Sequence, residues 1–206
     1  MEQEKYLNDL SEIRSIMNKS SRFLSLSGLS GILAGIYALI GAAVAYRIIY
    51  TASVIPYTSI RTGQTSQEVV FLFIDAFLVL VLSLLTGFQL SKRKAEKNEV
   101  KLWDHTAKRV VENLAIPLAT GGFLILILIY RELYFIISPI TLIFYGLALV
   151  NASKYTLGDV KYLGLFEIAI GLTAALFPGK GLYFWALGFG VMHIIYGGIM
   201  YFKYDK

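Results

Sequence analysis

Residues 163–202 read LGLFEIAIGLTAALFPGKGLYFWALGFGVMHIIYGGIMYF. Two apolar runs flank Phe177-Pro178-Gly179-Lys180-Gly181. Runs this long and apolar argue for membrane spans, and Pro-Gly between them marks a tight reversal. Each arm carries an ionisable group, Glu167 in the first and His193 in the second. Such groups are expensive in hydrocarbon, so the pair has either a chemical task or a specific packing role.

The rest of the chain has the same character. Of 206 residues 56% are apolar and 16% charged, with a mean hydropathy of +0.63. A soluble domain is less apolar and more charged. The net charge of +5 is read as the basic loops of a membrane protein rather than a nucleic-acid surface, because no basic, aromatic-interleaved domain lies outside the apolar runs. Without cysteine, disulfide frameworks, thiol catalysis and Cys-ligated metals are excluded. The start, MEQEKYLNDLSEIRS, is polar and mixed in charge, unlike a signal peptide.

The expected architecture is all-α, with six transmembrane helices at about residues 24–46, 69–90, 114–130, 133–150, 162–177 and 182–202. Residues 1–23 precede this membrane domain of 24–206 as an amphipathic cytoplasmic segment, with Tyr6, Leu10, Ile13 and Met17 at helical spacing. Residues 91–112 form a basic loop in which Val100, Trp103, Ala107, Val110 and Leu114 are expected on one face of an interfacial helix, with Trp103 as a headgroup-level anchor. Pro117 is expected to kink the third span. With the N-terminus inside, fifteen Lys and Arg fall on inner segments and four on outer ones. This bias predicts both termini in the cytoplasm.

Small residues predict close helix contacts. Gly31 and Gly35 form a GxxxG whose partner is another span or a second copy of the chain, and Gly171, Gly190 and Gly197 are further packing positions. Spans three–four and five–six also read alike. Glu132-Leu-Tyr-Phe matches Gly181-Leu-Tyr-Phe, Tyr145-Gly146 matches Tyr196-Gly197, and Lys154-Tyr155 matches Lys203-Tyr204. These are expected to be tandem parallel helical hairpins.

The pattern Gly171 to Pro178-Gly179, followed by Gly188 and Gly197-Gly198-Ile199, resembles the membrane repeat of HdeD-type acid-resistance proteins. The resemblance covers about residues 163–200. It implies six spans built from helical hairpins, a bacterial cytoplasmic membrane and a part in envelope stress, and it brings no catalytic residues. The chain as a whole is similar to small uncharacterised bacterial membrane proteins.

Glu167 and His193 are expected to differ in depth by about 6 Å at 1.5 Å per residue, within reach of each other or of one bridging water. The first reading is packing, with the pair bonded to each other, to Tyr196 or to backbone, in a structural or interaction module. The alternative is a small proton-linked transporter or channel that uses Glu167 and His193, with Asp75 of the second span and Tyr196 as further polar candidates. No enzyme is expected: Ser138 sits in Ile-Ser-Pro, without the glycine setting that exposes a nucleophile. Asp104-His105 lacks the further ligands a metal needs, and neither a metal nor a cofactor is expected. The expected partners are the lipid bilayer and a protein at the cytoplasmic face or a second copy, not nucleic acid.

Overall fold

The computed structural model describes Phe23, residues 25–51 and residues 67–206; among these the regular structure is helical, with no strand. The amphipathic segment expected before span one lies, Phe23 apart, outside the described residues, as do residues 52–66. Helix α1 is Gly28–Thr51, α2 Gln67–Lys97, α3 His105–Tyr130, α4 Ile137–Ala152, α5 Val160–Leu176 and α6 Gly181–Asp205. Short 3₁₀ turns, Tyr134–Ile136 and Ser153–Tyr155, flank α4. Five stretches are long and apolar enough to cross a membrane, those of α1, α2, α3, α4 with its flanking turns, and α6. The expected fifth span is the 17-residue α5, about 25 Å long at 1.5 Å per residue, against a hydrocarbon core of about 30 Å.

The helix ends follow local chemistry. Asp104 caps α3, its Oδ1 accepting the Ala107 N–H at 2.6 Å. The helix expected from Val100 therefore starts only at His105. Residues 98–104 form the reversal after α2, with Trp103 exposed within it. Glu99 and Glu132 close α2 and α3 in the left-handed region, at φ 54° and 60°, where glycine is more usual. Gly179, at φ 88°, is the reversal between α5 and α6. Pro117 has no N–H for the carbonyl of Asn113, one turn back. That carbonyl accepts Asn151 Nδ2 of α4 at 3.2 Å, so a neighbouring helix satisfies the group that proline frees.

Glycines set the packing. On α1, Gly28, Gly31 and Gly35 lie along α6: a Cβ on Gly31 would come within 3.1 Å of the Gly197 Cα, and one on Gly35 within 2.6 Å of the Gly190 carbonyl oxygen. The GxxxG partner is thus another span of the same chain. On α5, Gly164 and Gly171 lie likewise along α4, with a Cβ 2.7 Å from the Gly146 oxygen and 2.9 Å from the Pro139 oxygen. Both crossings are antiparallel. α2 packs chiefly on α1, and α3 on α4. Their outward faces, including Phe77, Leu84, Ile116 and Phe123, are exposed, as a lipid environment would leave them.

One end of the bundle gathers the starts of α1, α3 and α5 and the ends of α2, α4 and α6. There Asp205 Oδ2 accepts Ser27 Oγ at 3.0 Å and the Gly28 N–H at 2.8 Å, while its Oδ1 pairs with Lys94 Nζ at 2.6 Å. Lys94 also donates to the Leu26 carbonyl at 2.8 Å. Phe23 N–H donates to the Tyr155 carbonyl at 2.7 Å and Thr156 Oγ1 to the Phe23 carbonyl at 2.9 Å. Asp159 Oδ2 accepts both Lys203 Nζ and Tyr204 Oη at 2.8 Å.

Candidate functional site: a buried glutamate, histidine and tyrosine

Glu167 lies between Gly164 and Gly171 on the packed face of α5. Its residue surface is 0% exposed. The space for its carboxyl exists because Gly188 of α6 has no side chain: a Cβ there would stand 2.5 Å from Glu167 Oε2 and 2.5 Å from Leu142 Cδ2. Leu142 of α4 is also fully buried. An apolar floor and a glycine wall thus surround a carboxyl group.

His193 of α6 is 7% exposed and aims its imidazole into the same space. Its Nδ1 lies 3.4 Å from Glu167 Oε1 and 3.1 Å from the Gly188 carbonyl oxygen. Its Nε2 lies 2.8 Å from Tyr145 Oη of α4. A carbonyl only accepts, so the Nδ1 contact assigns a proton to Nδ1. In a neutral ring Nε2 then accepts from the Tyr145 hydroxyl; in a charged ring it donates, and the hydroxyl turns to accept. Phe189 covers the site, with ring centroids 5.0 Å from Tyr145 and 6.0 Å from His193, and Trp185 follows at 5.1 Å from Phe189.

Among the described residues neither oxygen of Glu167 has a hydrogen-bond partner; the approach of His193 is an ion-pair contact. A lone carboxylate buried this way costs several kcal/mol or more. Two arrangements keep the pair neutral: a protonated Glu167 beside neutral His193, or a carboxylate beside imidazolium. They differ in where one proton sits.

The stretch of α6 facing Glu167 is also irregular. Gly181–Trp185 and His193–Met200 are α-helical, but Ala186–Met192 between them is wound as a π-helix. Such wide turns are rare and concentrate at functional sites. The carbonyl that receives the His193 ring belongs to this turn.

The structure brings Glu167 and His193 together and supplies Tyr145 in place of Tyr196. Tyr196 instead tilts against Phe166, with centroids 6.1 Å apart. Tyr145 stood in the sequence as half of the repeated Tyr-Gly pair, which gave it a place in the repeat but no chemical role. Asp75 lies across α1, its Oδ2 3.2 Å from where a Gly41 Cβ would stand; no bond or ion pair among the described residues joins it to the pair. Gly171, Gly190 and Gly197 all sit at helix crossings. Ser138 Oγ donates to the Gly181 carbonyl at 2.6 Å, holding the start of α4 to that of α6. His105 is exposed at the first turn of α3. Among the described residues no three His, Asp or Glu gather as metal ligands. Compared with known protein families, curated proteins and solved structures, the chain gives no match.

Proposed function

We propose that the chain is a six-span protein of a bacterial cytoplasmic membrane, with both termini in the cytoplasm, and that it is a small proton-linked transporter or channel. One observation carries the functional part: Glu167 is completely buried, with neither carboxyl oxygen hydrogen-bonded among the described residues, 3.4 Å from His193. A packing role does not account for this. A polar group kept to specify packing has its hydrogen bonds satisfied, and an apolar side chain would fill the space at lower cost. A carboxyl that gives up and takes back a proton is explained by the same geometry. In this reading Glu167 is the proton site, His193 exchanges protons with it, and Tyr145 orients the imidazole. The sixth span is α5, and no chemical transformation is assigned to the protein. The charge bias of the loops supports the orientation. The bacterial setting, and any part in envelope stress, rest on the resemblance of the last hairpin.

The test is proton flux into proteoliposomes carrying wild type, Glu167→Gln or His193→Ala. Loss of flux in both variants is the expected result. Equal flux from all three discards the proposal.

A second reading, an interaction module, is favoured by the end of the bundle that bears Asp205. Lys92, Arg93, Lys97, Lys101, Lys108, Arg109, Lys154 and Lys161 are exposed there, beside the point where residues 1–22 join. An acidic protein partner matches that rim. This reading predicts a co-purifying protein that is lost when residues 1–22 are deleted, and a deletion that leaves recovery unchanged rejects it.

A further inference from the structure

The proton-linked reading says where a proton sits but not what moves when it leaves. Three features of α6 coincide at that question. The stretch Ala186–Met192 is π-wound between two α-wound stretches, apart from a second π-wound stretch at the helix end, Tyr201–Asp205. The Gly188 carbonyl inside it accepts the His193 Nδ1–H at 3.1 Å. The competing acceptor, Glu167 Oε1, stands 3.4 Å from the same nitrogen. One N–H thus bonds a backbone group of the irregular turn and has a second acceptor within reach.

We propose that Ala186–Met192 is a proton-operated register switch, in which the His193 Nδ1–H passes between the Gly188 carbonyl and the Glu167 carboxylate. This rests on the reading of Glu167 as the proton site. With Glu167 protonated and His193 neutral, Nδ1–H stays on Gly188, as in the structure. When pH rises and Glu167 releases its proton to the aqueous phase, the pair loses one proton, while Nε2 of the neutral ring keeps accepting from the Tyr145 hydroxyl. The carboxylate is then the stronger acceptor, because a hydrogen bond with one ionised partner is about twice as strong as a neutral one. Nδ1–H turns to Glu167 and the Gly188 carbonyl is released. In a π turn a carbonyl pairs five residues on, and in an α turn four. The released carbonyl takes the Met192 N–H, and the turn tightens by one residue.

The neighbours permit this movement. The titratable groups facing Glu167 are His193 from α6 and Tyr145 from α4. From α1, the residues against this level of α6 are Gly31, Gly35 and Leu39, none of which titrates. Gly188 and Gly190 lie within the turn, so at those two positions no side chain has to pass a neighbour. Phe189, between them, stacks on His193 and tilts against Tyr145 and Trp185, and a change of register carries its ring past all three.

Trp185 reports the switch. The chain has two tryptophans, so Trp103→Phe leaves Trp185 as the sole indole emitter. In that background, reconstituted in liposomes, Trp185 emission is expected to follow one sigmoid with pH while circular dichroism shows constant helix content. Glu167→Gln is expected to hold the emission at one limit, and Tyr145→Phe to move the midpoint. A flat response of the otherwise wild-type protein overturns the switch, with no dependence on whether a variant folds. So does an unchanged sigmoid in Glu167→Gln. The outcomes separate from those of the flux assay: Glu167-dependent flux with a flat Trp185 signal overturns the switch alone, and a Glu167-dependent sigmoid without such flux supports the switch and discards transport.

Discussion

At the residue scale the site depends on a missing side chain. Gly188 leaves the volume that the Glu167 carboxyl occupies, so Gly188→Ala tests the arrangement directly. The added methyl meets Glu167 Oε2 and Leu142 Cδ2, each at 2.5 Å, and overpacking of this kind costs about 1–3 kcal/mol. A lowered thermal midpoint in detergent is expected, and an unchanged one means the carboxyl lies elsewhere. Asp159 makes a second residue-scale prediction, outside the spans. Its hydrogen bond from Lys203 holds the carboxyl below its ordinary value, against a smaller opposing effect of burial. Because the folded value is the lower one, the stability Asp159 contributes is complete above the unfolded value of about 3.9. It is lost as pH falls through the folded value. Asp159→Asn should therefore lower the thermal midpoint at neutral pH and flatten the acid side of its pH profile. A profile identical to wild type counts against the bond.

At the element scale the two antiparallel seams obey one rule. Gly28 and Gly35 are separated by seven residues, as are Gly190 and Gly197 opposite them on α6. Gly164 and Gly171 repeat the spacing on α5, opposite Pro139 and Gly146 on α4. The repeated Tyr-Gly pairs fall at matching points, Gly146 seating α5 and Gly197 seating α1. Seam glycines should therefore behave unlike the others. Gly35→Leu or Gly146→Leu pushes side-chain atoms into backbone and is expected to abolish the folded monomer in size-exclusion chromatography. Among the described residues nothing beyond its own helix backbone and chain neighbours lies within 4 Å of where a Cβ on Gly87 or Gly122 would stand. Their change to Ala should be neutral or raise stability by up to about 1 kcal/mol, since alanine is the better helix former. If the two classes respond alike, backbone contact is not what the seams require.

At the scale of the whole molecule, Asp205 holds together what the seams do not. α2 packs chiefly on α1, and the pairing of Lys94 with Asp205 ties its end to both α1 and α6. The side chains are 13% and 10% exposed. Removing one partner of a well-buried pair costs about 3–5 kcal/mol, and the slight exposure here places Asp205→Asn near the lower limit. Hydrogen exchange should then quicken at the end of α2 and the start of α1 before it does in α4 or α5. Uniform exchange would rule out the latch. The absence of native cysteine also makes the orientation directly testable. Single cysteines at Lys92 and Lys180 should react with a membrane-impermeant maleimide from opposite sides of sealed vesicles, and labelling from one side overturns six spans.

The sequence by itself determined the helical class and the approximate places of the five helices long and apolar enough to cross a membrane, because apolar length acts locally and adds along the chain. It also singled out Glu167 and His193, since an ionisable group in an apolar run is conspicuous without any structure. It could not decide partners across helices. Tyr145 rather than Tyr196 meets His193, α6 rather than a second copy receives Gly31 and Gly35, and Asp205 closes on Lys94 across more than half the chain. Each depends on helix rotation and crossing, which are set jointly by every small residue along a seam. The π turn was equally hidden. The turn at Ala186–Met192 lies against the space around Gly188 and the acid that fills it, and those meet only once α4, α5 and α6 have packed.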